Sequence, residues 1–228
     1  MDDRTFDKQT ADDWIKAVET TERSFRDDHI YPKINDLIHQ SLPKRILDIG
    51  CGQGVCSDKI DLKHSEYTGV EPSTFLLDRA KQLYLQPNRI FLLGNAYALP
   101  LSDDSFEVVF SVMVWHLLSN LQKAASELSR VLTKNGSFLI VTANPDAYSA
   151  WKAFYPDAKL AGKKLEGTMQ LGDSLSHDVL YLHTFDELKN SLHNVGLIIQ
   201  KTQTFLPTKD STESKLLISL QGVKLDKF

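Results

Sequence analysis

The chain has 228 residues, of which 42% are hydrophobic, so one domain with a sizeable apolar core is expected. A net charge of −4 and an isoelectric point of about 6.0 disfavour a broad nucleic-acid-binding face, although Lys163-Lys164 leaves a local basic contact open. No apolar run reaches the length of a membrane span, and the polar first residues lack the apolar core of a signal peptide, which predicts a cytoplasmic location without a membrane partner.

The two cysteines lie close together, at Cys51 and Cys56. A separation of five residues without a further cysteine does not match a zinc site, so no metal is expected. A disulfide bond is also disfavoured, which fits a reducing compartment.

Two helices are predicted before the first core strand. Apolar residues recur at helical spacing at Trp14, Ile15 and Val18 in the first helix, and at Ile34, Leu37 and Ile38 in the second. Pro32 marks the start of the second helix, which we expect to pack on the sheet. Residues 23–32, between the two, combine charged and aromatic groups.

A predicted buried strand followed by a glycine turn is the most informative part of the chain. The strand is Arg45–Ile49, which is short and mostly apolar. Gly50, Gly52 and Gly54 follow at alternating positions, where glycine permits a tight turn and lets backbone N–H groups approach a ligand. With a helix predicted over residues 55–61, this order forms the first half of a nucleotide-binding unit.

A second short strand, residues 67–70, ends at Glu71. Because this acid follows the glycine turn by about 20 residues, it is placed to accept hydrogen bonds from the two ribose hydroxyls of a nucleoside. Together the two features predict a nucleoside-type cofactor. The alternative is an ordinary doubly wound domain with a glycine turn.

The spacing of the glycines and the position of Asp48 distinguish between cofactors. Dinucleotide-binding turns have the spacing G-x-G-x-x-G, whereas this chain has G-x-G-x-G. A carboxylate at Asp48 repels a pyrophosphate and attracts an ammonium or a sulfonium group, and S-adenosylmethionine carries both of these cations. The pattern Asp48-x-Gly50-x-Gly52-x-Gly54 resembles the first motif of the class I S-adenosylmethionine-dependent methyltransferases.

Later motifs extend the resemblance. After a predicted helix over residues 74–85, the strand Arg89–Leu93 leads into Gly94-Asn95-Ala96, which is similar to the family's third motif. The resemblance implies that Asn95 and Ala96 lie against the adenine, with the Asn95 amide bonded to its edge. The alternative for Asn95 is a turn residue.

The turn at residues 102–105 and the strand predicted at residues 106–110 are similar to the stretch before the family's fourth motif. By that resemblance, the backbone at Ser111 and Val112 faces the methionine part of the cofactor. His116 is the first candidate for a general base, because histidine titrates near neutral pH. The alternative is a structural histidine that caps the next helix.

The segment before the first motif often covers the cofactor in similar methyltransferases and helps to form the substrate pocket. This makes Tyr31 a second candidate for catalysis or cofactor contact, followed by Arg26 and His29. The alternative for these residues is helix capping and surface charge. Secondary candidates for the base are His177, Tyr181 and His183.

A helix over residues 121–132, closed by Gly136 in the left-handed conformation, precedes a fifth strand at residues 137–142. Residues 144–183 then break the alternation of helix and strand. They hold aromatic side chains, several glycines and a predicted hairpin within residues 164–183. In related enzymes an insertion here closes over the substrate; the alternative is a second small core beneath a long loop.

Thr184 and Glu187 have the spacing of a capping box, which predicts a helix that runs to Asn194. The last two predicted strands cover residues 197–205 and 215–220. This closing strand pair resembles the end of the family's sheet. The resemblance implies an α/β fold class: a doubly wound, mostly parallel seven-stranded sheet with an antiparallel last strand (a Rossmann-like methyltransferase fold).

The whole chain, 1–228, is expected to form a single methyltransferase domain. Its predicted parts are an N-terminal helical cover (1–42), a cofactor-binding core (43–143), a substrate-covering insertion after the fifth strand (144–183), and a C-terminal helix with a strand pair (184–228).

The resemblance implies in-line transfer of a methyl group from S-adenosylmethionine to a small-molecule acceptor, with S-adenosylhomocysteine as the product. The expected cofactor-binding residues are Asp48, Gly50, Cys51, Gly52, Glu71, Pro72, Asn95, Ala96, Ser111 and Val112. Open alternatives are methylation of protein or RNA, a non-catalytic S-adenosylmethionine-binding domain, and a nicotinamide-dependent oxidoreductase. Many enzymes that methylate amino groups of bases carry Asn-Pro-Pro-Tyr after the fourth strand, where this chain reads Ser-Val-Met-Val.

Overall fold

The computed structural model describes residues 8–19, 26–171, 174–205 and 215–226. Within these residues a seven-stranded sheet has the strand order β3-β2-β1-β4-β5-β10-β9, and a separate three-stranded sheet has the order β6-β7-β8. The strands are β1 (Arg45–Ile49), β2 (Glu66–Glu71), β3 (Arg89–Leu93), β4 (Phe106–Val112), β5 (Leu132–Ala143), β6 (Lys159–Ala161), β7 (Lys164–Leu171), β8 (Ser174–Tyr181), β9 (Leu197–Phe205) and β10 (Leu217–Lys224).

Helices cover both faces of the large sheet. They are α1 (Lys8–Glu19), α2 (Tyr31–Ser41), α3 (Cys56–Lys59), α4 (Thr74–Tyr84), α5 (Leu121–Val131), α6 (Tyr148–Lys152) and α7 (Phe185–His193). Short turns of other helical types are Arg26–Ile30, Trp115–Leu117 and Pro145–Ala147. Among the described residues, no helix combines the length and the apolar character that a membrane crossing requires.

The sheet topology confirms the predicted fold class. Neighbouring strands from β3 through β5 pair in parallel, whereas β10 pairs antiparallel with both β5 and β9. The strand order reverses at β1 and β4, and in open sheets of this kind ligands bind in the crevice outside the carboxyl ends of the strands at that point.

Alternating side chains of the strands supply two apolar cores. Leu47 and Val109 belong to a buried cluster that includes the apolar faces of α5 and α7. Ile46 and Phe110 belong to the opposite cluster, together with α2 and α4. The second predicted helix therefore packs on the sheet as expected, and its proline lies in the first turn.

Two local predictions in the core were wrong. Helix α3 has four residues rather than the predicted seven of residues 55–61, because Ile60 is already extended (φ −103°, ψ 156°). The left-handed residue before the main part of β5 is Asn135 (φ +59°), not Gly136. Gly136 serves close approach instead, since a Cβ there would lie 2.8 Å from the carbonyl oxygen of Thr133.

The insertion contains the predicted hairpin, β7 and β8, and one strand that the sequence did not predict, β6. The three residues of β6 are all exposed, so they carry no alternation that would identify a strand. Tyr155, Leu165 and Leu180 form a small buried cluster of their own, which is the arrangement that the alternative interpretation of this segment anticipated.

The capping box is formed as predicted: the Thr184 side chain accepts from the Glu187 N–H, and the Glu187 carboxylate accepts from the Thr184 N–H. The last strand, β10, begins and ends later than the predicted residues 215–220. Part of the predicted polar segment at residues 23–32 lies outside the described residues, and from Arg26 to Ile30 it forms a single turn of π-helix.

Candidate cofactor site at the carboxyl ends of the strands

The three glycines after β1 all have positive φ, but they differ in the space that surrounds each of them. The φ values are +77° at Gly50, +56° at Gly52 and +81° at Gly54. A Cβ at Gly50 would lie 2.3 Å from Val114 Cγ2, and one at Gly54 would lie 2.9 Å from the Ala80 Cβ. A Cβ at Gly52 would meet nothing within 4 Å, so this is the glycine of the turn that leaves space for a ligand.

Glu71, at the end of β2, holds the turn in place. Its carboxylate accepts the Gly52 N–H at 3.0 Å and the Ser73 N–H at 2.9 Å, and the residue is 5% exposed. Burial raises the pKa of Glu71 to about 7, and the two N–H donors oppose that rise. A carboxylate has about four acceptor positions, so these bonds leave capacity for hydroxyl groups of a ligand.

Asp48 lies beneath the turn rather than at its surface. The residue is 1% exposed; the Tyr67 hydroxyl donates to its carboxylate at 2.7 Å, and the Cys56 thiol also bonds it. Burial is the main cause that raises the pKa of Asp48 to about 7, and the nearby Glu71 carboxylate raises it further. The Asp48 carboxylate is therefore enclosed by protein and not open at the surface of the turn.

Tyr31 contributes to the same region from the start of α2. It is buried in the cluster that includes Cys51 and Tyr67. Burial raises the pKa of the Tyr31 hydroxyl, the neighbouring Cys56, Asp27 and Asp48 side chains act in the same direction, and the guanidinium of Arg26 opposes them. The hydroxyl is therefore neutral at physiological pH, which disfavours Tyr31 as a general base.

Cys51 lies within the glycine turn, whereas Pro72 and Ala96 follow the carboxyl ends of β2 and β3. The Cys51 sulfur would lie 2.7 Å from a Cβ at Gly69, so β2 needs glycine opposite it. Cys51 and Ala96 are buried, and Pro72 is half-buried. Both cysteines are free thiols, and burial raises the pKa of each well above its usual value.

Asn95 takes the turn role that the sequence left open. Its side-chain oxygen accepts the Tyr97 N–H at 2.9 Å, and the residue is exposed at the end of β3. That bond engages the oxygen in local structure. The amide still lies at the same edge of the sheet as Glu71, because β2 and β3 are parallel neighbours.

The end of β4 brings Ser111 and Val112 to the glycine turn. The Ser111 hydroxyl donates to the Ile49 carbonyl at 2.9 Å, which ties β4 to β1. Met113 then adopts φ +59°, and its N–H donates to the Val141 carbonyl at 2.7 Å. This bend points the chain across the edge of the sheet, where Val114 packs over Gly50.

His116 lies next to this bend and has structural partners. Its backbone N–H and its Nδ1 both contact the Thr142 hydroxyl, at 3.1 and 3.2 Å. The imidazole stacks on Trp151 of α6, with ring centroids 6.1 Å apart. The ring is buried, so its orientation is fixed by β5 on one side and by the insertion on the other.

The other candidate bases have different surroundings. His183 is buried, its Nε2 lies 2.6 Å from the Leu118 carbonyl, and burial lowers its pKa. His177 is exposed and lies 3.1 Å from a Glu166 oxygen. Neither contact connects these histidines to the glycine turn. Among the described residues, no group of three His, Cys, Asp or Glu side chains could hold a metal ion.

A row of aromatic rings leads from His116 to a surface cavity. Trp151 stacks on His116, and Phe154 lies 5.8 Å from Trp151 between ring centroids. The cavity is open to solvent and holds about 580 Å³. Its lining residues are Ala153, Phe154, Pro156, Asp157, Thr168, Gln170 and Leu175.

Gln53, Thr142 and Trp151 lie in this region but were not among the predicted site residues. Gln53 lies within the glycine turn and is 2% exposed, which is uncommon for a glutamine. The position of Gln53 inside the motif was the available signal. Thr142 and Trp151 both contact His116, from β5 and from the insertion respectively. A single sequence carries no pattern that predicts contacts between residues so far apart in the chain.

Comparison with known proteins gives consistent matches. Residues 47–140 match the family described as "Methyltransferase domain". A malonyl-[acyl-carrier protein] O-methyltransferase of Legionella pneumophila is 30% identical over 118 residues, which are 49% of this chain and 42% of that protein. A phthiotriol/phenolphthiotriol dimycocerosates methyltransferase of Mycobacterium tuberculosis is 29% identical over 113 residues, 48% of this chain and 42% of that protein.

The matches to these two curated relatives span less than half of the length of each. The fold is also that of a solved S-adenosylmethionine-dependent methyltransferase from Clostridium acetobutylicum, with a TM-score of 0.69 at 15% identity over 93% of this chain and 98% of that one. Residues 47–140 of the chain therefore match a methyltransferase domain family, and the fold is one that S-adenosylmethionine-dependent methyltransferases have.

Proposed function

We propose that this protein transfers a methyl group from S-adenosylmethionine to a small-molecule acceptor, with S-adenosylhomocysteine as the product. The observation that carries the proposal is the buried Glu71 carboxylate, which binds the N–H of Gly52 at the one glycine of the turn with open space beside it. This is the geometry that a nucleoside needs: acceptors for the ribose hydroxyls next to a backbone without a side chain.

The residues at this edge of the sheet fit that cofactor. Glu71 would accept from the ribose, Asn95 and Ala96 would flank the adenine with Pro72, and Asp48 would supply negative charge toward the cationic end. Gly50, Cys51, Gly52, Ser111 and Val112 would form the floor of the site. The cofactor itself supplies an electrophilic methyl group, so the protein's work is to bind, to align the acceptor and to exclude water.

The acceptor side is assigned to the insertion. The ring row His116, Trp151 and Phe154 and the cavity beside it offer aromatic and apolar contacts to a small acceptor. The two curated relatives, by their names, methylate malonyl-[acyl-carrier protein] and phthiotriol or phenolphthiotriol dimycocerosates, which supports an acceptor other than nucleic acid. The net charge of −4 disfavours nucleic acid as the acceptor, because the phosphate backbone of nucleic acid is also negative.

His116 is our candidate for the residue that orients the acceptor or removes its proton. The Thr142 hydroxyl and the Trp151 ring fix the imidazole, which is how a general base is held in position. On this proposal the chain divides as expected from sequence, with residues 43–143 binding the cofactor and residues 144–183 covering the acceptor.

The experiment is a calorimetric titration of the protein, freed of co-purified ligand, with S-adenosylhomocysteine and S-adenosylmethionine. Micromolar binding of both, followed by formation of S-adenosylhomocysteine in the presence of a panel of small acceptors, supports the proposal. Folded protein that binds neither compound contradicts it. Binding without turnover over a broad panel favours the non-catalytic alternative.

A further inference from the structure

The surface cavity of the insertion places a negative charge next to an aromatic ring. Among the described residues that line it, Asp157 is acidic and none is a lysine, an arginine or a histidine. Phe154 and Leu175 supply apolar walls, and both side chains are exposed. Thr168 and Gln170 are the uncharged polar residues of the lining, so the full charge that the lining carries is negative.

Local hydrogen bonds hold the Asp157 carboxylate in place and favour its ionised form. Its Oδ1 accepts the Thr168 N–H at 2.6 Å, which joins the segment after α6 to strand β7. Bonds from Thr168 lower the pKa of Asp157, and the nearby His177 acts in the same direction. A carboxylate has about four acceptor positions, so this one keeps both its charge and its capacity for a donor from a ligand.

The neighbouring charged side chains of the hairpin are engaged with one another. His177 pairs with Thr168 across the hairpin, and its Nε2 lies 3.1 Å from one oxygen of Glu166. The Lys164 ammonium lies 3.0 Å from the other oxygen of Glu166. Asp178 is buried in β8, where its carboxylate accepts from two hydroxyl groups. Asp157 is therefore the acid that the cavity presents to a ligand.

A carboxylate beside an aromatic ring favours a positively charged ligand. An ammonium group is attracted by the charge of Asp157 and by the negative face of a ring such as that of Phe154. A carboxylate or a phosphate is repelled by both. The apolar walls at Phe154 and Leu175 favour a ligand whose charge is attached to an apolar body.

The position of the cavity separates this charge from the centre of the proposed reaction. Phe154 lies 5.8 Å from Trp151 between ring centroids, and Trp151 lies 6.1 Å from His116, which is our candidate for orienting the acceptor. Two ring contacts therefore lie between the cavity and His116. A charged group in the cavity is accordingly a group by which the acceptor is recognised, and the atom that receives the methyl group belongs to another part of the same molecule.

We propose that this cavity binds an ammonium group of the methyl acceptor, with the Asp157 carboxylate accepting from the ammonium and the Phe154 ring lying beside it. The inference rests on the proposed function and names its acceptor class, a small organic cation with an apolar body. Asp157 is then the residue that selects cationic acceptors over neutral or anionic molecules of the same shape.

The test compares three probes that share a phenyl body: 2-phenylethylammonium is positive, 2-phenylethanol is neutral and phenylacetate is negative. Titrations followed by nuclear magnetic resonance give each Kd for the wild type, with and without S-adenosylhomocysteine. We expect the ammonium to bind about 3- to 10-fold more tightly than the alcohol, and phenylacetate to bind more weakly than both. Because the carboxylate is exposed, added salt should reduce the preference for the ammonium.

Two variants separate the charge from the ring. Asp157→Asn keeps an oxygen for the Thr168 N–H, so the Kd for the ammonium should rise about 3- to 5-fold while that for the alcohol stays within about twofold. Phe154→Leu keeps an apolar wall without the ring and should also weaken the ammonium more than the alcohol, which preserves the test if Asp157→Asn does not fold. The matched control, Asp78→Asn, makes the same charge change at an exposed position of α4 and should alter neither Kd.

Three outcomes would overturn the inference. Equal Kd values for the three probes, or tightest binding of phenylacetate, would mean that the cavity does not select a cation. Equal losses for ammonium and alcohol in Asp157→Asn would mean that Asp157 only shapes the cavity. Turnover of neutral or anionic acceptors alone in the screen would exclude the ammonium as the recognised group. Failure of the wild type to bind S-adenosylhomocysteine would instead remove the proposed function, and the titrations without it still measure the cavity by itself.

Discussion

Two buried carboxylates at one edge of the sheet set the electrostatics of the site. Burial raises the pKa of both Asp48 and Glu71 to about 7, and the main opposing contacts are the Tyr67 hydroxyl on Asp48 and backbone N–H groups on Glu71. Between about pH 4 and about pH 7, both groups are therefore protonated in the ligand-free folded protein but ionised in the unfolded chain. These two groups make the folded state less stable as the pH rises from about 4 toward about 7.

Replacing Glu71 by alanine tests the ribose assignment. We expect Glu71→Ala to weaken S-adenosylhomocysteine binding by about 1.5–3 kcal/mol, the worth of hydrogen bonds to a charged acceptor. Calorimetry measures the loss, and circular dichroism checks that the variant is folded, since Gly52 and Ser73 lose their acceptor as well. Unchanged affinity in a folded variant would exclude Glu71 from the ribose site.

The pH dependence of binding tests the charge on Asp48. S-adenosylmethionine carries a sulfonium that S-adenosylhomocysteine lacks, and only the ionised Asp48 attracts it. As the pH rises from about 6 to about 8, we expect the affinity for S-adenosylmethionine to increase relative to that for S-adenosylhomocysteine. Calorimetry at several pH values measures the ratio.

Asp48→Asn is the control for this prediction. It keeps an oxygen for the Tyr67 hydroxyl but cannot ionise, so the ratio of the two affinities should depend less on pH. A ratio that stays constant with pH in the wild type would show that the carboxylate charge does not reach the sulfonium.

At the level of elements, two glycines of the turn after β1 are expected to differ in role: Gly50 in packing and Gly52 in ligand binding. We expect Gly50→Ala to destabilise the fold by about 2–5 kcal/mol, because it adds strain at a positive φ and a contact of 2.3 Å with Val114. Gly52→Ala should cost only the strain of about 1–2 kcal/mol, but should weaken cofactor binding because its methyl group enters the open side of the turn.

A double-mutant cycle separates the two causes at Gly50. Val114→Ala removes the Cγ2 atom that a Cβ at Gly50 would meet, so the double variant should recover part of the stability lost in Gly50→Ala. Denaturant unfolding measures all four proteins. If the effects of Gly50→Ala and Val114→Ala were additive, the close contact would not be the cause.

The elements that the sequence predicted best are those with strong local signals. The glycine turn, the strand before it and the capping box at Thr184 are all present. Each was predicted from residue types at a fixed spacing within a few residues of the chain. The predictions failed where two local choices were equivalent. Asn135 and Gly136 both tolerate positive φ, and the structure gives it to Asn135, within β5 and not at the end of α5.

Contacts between residues far apart in the chain could not be predicted from the sequence, for a different reason. Asp48 is an acidic residue in a strand, and its buried carboxylate accepts a hydrogen bond from the Tyr67 hydroxyl of the neighbouring strand. Likewise, β6 pairs with β7 although its own residues are exposed, because the hairpin supplies the partner. Such features depend on pairing over long sequence separations, which local periodicity does not encode.

At the scale of the whole molecule, the insertion is fastened to the central sheet. The Trp151 indole donates to the Leu216 carbonyl at 2.8 Å, and the Asn144 amide donates to the Lys215 carbonyl at 2.7 Å. Helix α1 contacts both α4 and β7, and the Arg79 guanidinium forms two bonds with the Glu19 carboxylate. The insertion is therefore held against the central sheet both by its own bonds and through α1.

This arrangement predicts that the two sides can be altered separately. Phe154 and Leu175 line the cavity of the insertion and are 47% and 70% exposed, so their truncation costs little packing. We expect Phe154→Ala and Leu175→Ala to raise the KM for the acceptor identified by screening by about 10-fold, from the loss of apolar contact, and to leave the Kd for S-adenosylhomocysteine within about twofold.

Leu85→Ala is the matched control, because Leu85 is similarly exposed at 59% and lies after α4, outside the cavity lining. It should change neither constant. If the cavity variants weakened S-adenosylhomocysteine binding as strongly as acceptor binding, the insertion would act on the cofactor half. If the cavity variants changed neither constant, the acceptor would bind elsewhere. Phe154, which contacts Trp151, would then not belong to the acceptor site.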